Sequence, residues 1–158
     1  MAAALVGPMS ERVMDSVHAK PAWRTKSDFI IGAKLPEAGR SEQLWARRIE
    51  LDKFEVCCIP FFVYNIALGD IVETDANFEI QCVVEHAGRF VFRIWFGDPT
   101  VSREEVAEEL QRRGALLEWS SASLLAVDAA DSELAQDLAD YLHEHEVQGH
   151  LVYETGAL

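Results

Sequence analysis

The sequence predicts an α+β chain in two parts, a small antiparallel β-module with a half-barrel curl followed by a β-α-β-β-α-β module. Three observations carry that reading. Short strand-like runs follow one another at close spacing from Asp28 to Glu85, the rhythm of a small, strongly curved sheet. From Arg89 onward the strands are separated by two amphipathic stretches, each opened by a helix-start signal. Within the first part lies the most apolar run of the chain, Phe54 to Tyr64, in which nine of eleven residues are apolar and either β-branched, aromatic or Cys. Such a run fits a strand covered on both faces. Pro60 has no N–H for a ladder, so the strand is expected to end, bulge or lie on an edge there.

In order, residues 1–27 show no sustained period and read as a weakly ordered arm. A short helix over Ser10 to His18 is stopped by Lys20-Pro21, and Trp23 docks. Residues 28–87 form the β-module. Asp28 to Leu35 is its first strand, closed by Pro36 and Gly39. Glu42 to Glu50 alternates, with Leu44, Ala46 and Arg48 on one side. Leu51-Asp52-Lys53 turns the chain into the central run. Gly69 to Glu73 and Phe78 to Glu85 complete the set.

Residues 88–158 form the second module, packed as one unit with the first. Arg89 to Phe96 is a strand that Gly97-Asp98-Pro99 breaks. Ser102-Arg-Glu-Glu105 is a capping box, Val106, Ala107 and Leu110 form a buried stripe, and Gly114 ends the helix. Ala115 to Ser120 and Ser123 to Ala129 are strands. Asp131 or Ser132 caps a second helix with Leu134, Leu138, Tyr141, Leu142 and His145 inward. Gly149 ends it, and His150 to Glu154 is the last strand. This order is the ferredoxin-like split βαβ. Its right-handed crossovers place both helices on one face of a four-stranded sheet.

Net charge is −13 and uneven. Residues 1–100 hold 14 acids and 11 bases, whereas residues 101–158 hold 13 acids and 3 bases, a balance of −10. That excludes a nucleic-acid backbone or an anionic membrane surface as the expected partner and favours a basic protein. No apolar run approaches the roughly 18 residues a membrane span needs. Ala2 to Val6 is short for a signal sequence and lacks a basic flank, so the expected compartment is the cytoplasm.

Candidate chemistry is sparse. His143 and His145, two apart on a helix, point about 200° apart and do not grip one ion; His150 with Glu146 is a similarly weak pair. Cys57 or Cys58 with His86 has the composition of a thiolate dyad, but an apolar run raises thiol pKa values and makes them inert. With Cys82 they read as three buried free thiols rather than a disulfide framework. Phe90, Phe92, Trp95 and Phe96 suit a nucleic-acid stacking sheet, yet the charge is wrong and core packing explains them. No catalytic residue, cofactor site or metal site is expected. The expected partner-binding residues are Glu104, Glu105, Glu108 and Glu109 on the first helix, with Asp137, Asp140 and Glu144 on the second.

Five blocks carry a resemblance: Leu44-Trp45-Ala46, Ile59-Pro-Phe-Phe62, Ala67 to Val72, Ala126-Val-Asp128 and Tyr153 to Leu158. Over roughly residues 28–158 the chain resembles an uncharacterised bacterial domain-of-unknown-function family. The long N-terminal arm and Cys57-Cys58 depart from its pattern. The resemblance implies no activity or catalytic residue, but members similar to it include immunity proteins of contact-dependent and polymorphic toxin systems. It implies a monomer that occludes the active site of a cognate basic toxin domain in a heterodimer. The alternative is a small-molecule-sensing regulatory domain without catalytic activity.

Overall fold

Alternating burial builds the first sheet. In the computed structural model, which describes residues 16–157, five strands follow the chain: β1 (Phe29–Lys34), β2 (Ser41–Glu50), β3 (Lys53–Val56), β4 (Ile71–Thr74) and β5 (Ile80–Glu85). They pair antiparallel in sequence order. Along β2 the inward positions Glu42, Leu44 and Ala46 are buried and their neighbours half-buried, the period of two that one covered face imposes. The sheet curls until its ends meet: Gly32 N–H donates to Phe78 O at 2.9 Å. Phe78 sits in the left-handed region at φ 61°, a costly conformation for an aromatic residue. Its ring meets Phe29 and Phe54 edge-on at 4.8 and 6.2 Å between centroids, and the Asp75 carboxylate accepts from Asn77 N and Glu79 N to hold the turn.

In the central run the strand expected up to Pro60 ends earlier, at Val56. Only its start pairs, as β3, and from Cys57 to Asp70 the chain is irregular. Pro60 lacks a ladder donor, and the run is apolar because it fills the space between the two sheets. Ile59, Phe61, Ala67 and Leu68 pack against Val91, Ala126 and Ala157 of the second sheet.

That second sheet contains β6 (Phe90–Trp95), β7 (Leu116–Trp119), β8 (Leu124–Ala129) and β9 (Val152–Ala157), with α1 (Arg103–Arg112) and α2 (Ser132–Val147) between them. Its spatial order is β9-β6-β8-β7, every pair antiparallel. Val106, Leu110, Leu138 and Leu142 of the helices cover Phe92, Ile94, Leu125 and Val127. The irregular run covers the opposite face, so all six residues of β8 are buried. The N-cap residues are the expected ones. Ser102 Oγ accepts from Glu105 N at 3.2 Å and the Asp131 carboxylate from Leu134 N at 2.8 Å, each contributing about 1 kcal/mol. Gly114 follows α1 at φ 114°. The last strand begins later and runs further than His150 to Glu154, because Thr155 and Ala157 still pair with β6.

The arm has structure where it is described. The helix expected over Ser10 to His18 lies largely outside the described residues, and Ser16 forms a bridge with Glu42. Trp23 N donates to Cys57 O at 3.0 Å.

Candidate functional site

A buried irregular segment presents backbone N–H and C=O groups that no ladder satisfies, and each left unpaired is costly. Here buried ionisable side chains take that role. Glu42, inward on β2, accepts from Phe61 N at 2.6 Å, Phe62 N at 3.0 Å and Val63 N at 2.9 Å. Glu118, on β7, accepts from Ile59 N at 2.6 Å and Ala22 N at 2.9 Å. Between the two carboxylates lies His18, with Nε2 2.7 Å from Glu42 and Nδ1 2.8 Å from Glu118. Its ring stacks on Phe61 at 3.9 Å. All three residues are buried, and they tie the arm, the first sheet and the second sheet to one point.

Burial by itself lowers the His18 pKa. Hydrogen bonding involving Cys58, Glu118 and Glu42 outweighs it and raises the pKa to about 11, so His18 is an imidazolium donating from both nitrogens. For Glu42, burial opposes ionisation, but the bonds from His18 and the backbone amides prevail and its pKa falls.

The carbonyls of the same run have a cation. Arg93, buried on β6, donates from Nη1 to Phe62 O at 3.3 Å and from Nη2 to Val63 O. It also pairs with Glu154 at 3.4 Å and lies over the Tyr64 ring at 4.8 Å. Gly156 gives the guanidinium room, since a Cβ there would stand 2.8 Å from Arg93 Cζ. Asp70 closes the segment, accepting from Ala67 N and Ala87 N at 2.9 Å. Asp128 holds Arg89 bidentately at 3.0 and 2.6 Å. These ionic groups brace the joint between the sheets.

The dyad considered from sequence does not assemble as such. His86 Nδ1 lies 3.3 Å from Asp70, and the histidine that interacts with Cys58 is His18. Sequence reasoning missed His18, Glu42 and Glu118. The available signal was parity, since Glu42 shares the inward side of β2 with Leu44, and Glu118 that of β7 with Leu116. Cys82 is exposed, correcting the expectation of three buried thiols, while Cys57 and Cys58 are buried. Burial pushes the Cys57 pKa up to about 12 and raises that of Cys58. One thiol of the native protein should therefore react rapidly with a bulky reagent and two only on unfolding; rapid reaction of two would contradict this packing. His145 Nδ1 faces His150 Nδ1 at 2.9 Å, and Glu146 accepts from Tyr153 N. No group of three or more His, Cys, Asp or Glu among the described residues is arranged to hold a metal ion.

The acidic candidates lie on the helices. Glu104, Glu105 and Glu108 are exposed on α1, and Glu144 is exposed on α2. Glu109 binds Arg112 and Arg113, and Arg113 reaches Asp137 at 3.2 Å, joining α1 to α2. Asp140 accepts from Gln136 at 2.9 Å. Glu104 and Glu108 also line a cavity of about 570 Å³ between α1 and β7, whose far wall is Leu117 and Trp119. No helix among the described residues is long and apolar enough to cross a membrane.

A family model described as a domain of unknown function (DUF4265) matches residues 42–153. No curated protein matches. Among solved structures, the chain is similar in fold to a hypothetical protein from Neisseria gonorrhoeae, with TM-score 0.70 and 18% identity over 82% of this chain and 94% of that one.

Proposed function

The chain belongs to the DUF4265 family of domains of unknown function, and from that premise we propose a non-enzymatic protein that binds and neutralises a basic protein partner. The carrying observation is the division of its charge. The buried ionic groups are engaged in bracing the joint between the sheets, whereas Glu104, Glu105, Glu108, Asp137, Asp140 and Glu144 stand exposed on two adjacent helices. A concentrated acidic surface steers association with a positive one. The resemblance stated above makes the partner a cognate toxin domain met in the cytoplasm, held in a one-to-one heterodimer that blocks its active site. On this reading the first part is a half-barrel-like module. The second is ferredoxin-like, a reading supported by the order β9-β6-β8-β7.

The test is charge reversal measured on a basic protein that co-purifies one-to-one with the chain from its host. Converting Glu104, Glu108, Asp137 and Asp140 together to Lys should slow association and flatten its salt dependence, because steering charges act mainly on the on-rate. A folded quadruple variant that associates at the wild-type rate at low salt removes the helical face as the site. Absence of any one-to-one basic partner removes the functional reading itself.

A further inference from the structure

At two of the sheet edges, some outward groups are taken by the rest of the chain. At β1, Gly32 N–H is taken by Phe78 O. At β9, the outward N–H of Tyr153 is taken by Glu146 and Gly156 O accepts from Asn65 N. β7 differs. Ser120 N donates to Leu124 O, and with the register Glu118↔Ala126 and Leu116↔Asp128 this alternation turns the N–H and C=O of Leu117 and Trp119 away from β8. Among the described residues nothing bonds those outward groups. Beside them lies the cavity of about 570 Å³. Its walls are Leu117 and the 40% exposed Trp119 on one side, and Glu104, Ala107 and Glu108 on the other. Arg103 also lines the cavity and is engaged with Glu104 at 3.4 Å, over the Trp119 ring at 5.9 Å, and with Ala122 O; Glu108 is in no ion pair among the described residues.

An unpaired edge next to an acidic groove with an apolar wall is matched by one chemistry. We propose that β7 is a docking edge for an extended basic segment of the protein partner, which adds a fifth strand to the sheet and lays alternate Lys or Arg side chains in the groove. The proposal rests on the protein-binding reading above and locates its site. Backbone bonds from Leu117 and Trp119 set the register, as in other strand additions. Lys and Arg stems lie along Leu117 and Trp119 while their charged ends reach Glu104 and Glu108. Four residues of strand span about 13 Å, the length β7 offers. Unprotected edges are a hazard that folds ordinarily cover; occupancy by a partner removes that hazard.

The test uses a six-residue peptide alternating Lys and Val, the same peptide with Glu for Lys, and the Lys peptide N-methylated at every second residue in either phase. Backbone NMR of the full chain should show the Leu117 and Trp119 amides shifting together and exchanging more slowly with the Lys peptide. One methylated phase should bind about tenfold or more weakly, since two backbone bonds are lost, and the other should bind like the parent. The Glu peptide should not bind, and Glu104→Lys with Glu108→Lys should weaken the Lys peptide severalfold at low salt. The proposal is overturned if the Lys peptide leaves those amides unmoved at millimolar concentration, or if both methylated phases bind like the parent. A co-purified basic partner that binds while Leu117 and Trp119 stay unchanged overturns the docking edge alone and leaves the protein-binding reading standing.

Discussion

Replacing Glu42 with Ala is expected to destabilise the protein by about 3–5 kcal/mol, the range for removing one partner of a buried ion pair. Four donors lose their acceptor at once: His18 Nε2 and the amides of Phe61, Phe62 and Val63. His18 keeps only Glu118, so one carboxylate must compensate an imidazolium that two now share. Water cannot easily substitute, because Glu42 is buried and the run it braces is enclosed by both sheets. Urea unfolding of Glu42→Ala should show the loss as a lower midpoint. Glu50→Ala should change stability by no more than about 0.5 kcal/mol, since its contact with Lys53 at 3.6 Å is exposed. Glu42→Gln should fall between them, because its amide keeps one acceptor and turns a donor toward other donors. A Glu42→Ala variant within 1 kcal/mol of wild type would mean the bracing described above does not hold the joint.

The second large effect is on the pH dependence of stability. The His18 pKa is raised from 6.5 to about 11 in the fold, so the folded state keeps a proton that the unfolded state loses near 6.5. The stabilisation is fully present below about 6.5, declines as pH rises, and is gone above about 11. Within that window the slope from this one group approaches about 1.4 kcal/mol per pH unit. Glu42 acts in the opposite sense. Its pKa is lowered from 4.5, so its contribution is present above about 4.5 and is lost as pH falls through the folded value. The contributions of these two groups are both fully present only in the mildly acidic range. Urea midpoints measured from pH 5 to pH 10 should fall steadily on the alkaline side for wild type and fall far less for His18→Gln. Equal stability of wild type at pH 6 and pH 9 would show that His18 is neutral in the fold.

The elements that the sequence specified are those whose signals are local. Ser102 and Asp131 sit at helix starts with free amides three residues ahead, and hydroxyl and carboxylate groups cap them wherever such a helix forms. Alternation along β2 and the stripe Val106, Ala107, Leu110 likewise state their own faces. The run from Cys57 to Asp70 was misread because composition reports burial and not conformation. A residue between two layers must be apolar whether or not it pairs in a ladder, and Pro60 was the one local sign that pairing would stop.

The acidic candidates were legible for the same reason as the helices, since a wet helical face can be read from its period. Which of them remain available was not, because Arg113 links Glu109 to Asp137 only when α1 and α2 are neighbours. By itself, then, the sequence determined the two helices, most of the strands, the charge imbalance and the family blocks, all carried by residues a few positions apart. The tertiary structure alone decided the joint of His18, Glu42 and Glu118 and the open edge at β7. His18 and Glu118 are 100 positions apart, and a hydrogen bond over that separation leaves no trace in local periodicity; an edge is open only relative to what the rest of the fold covers.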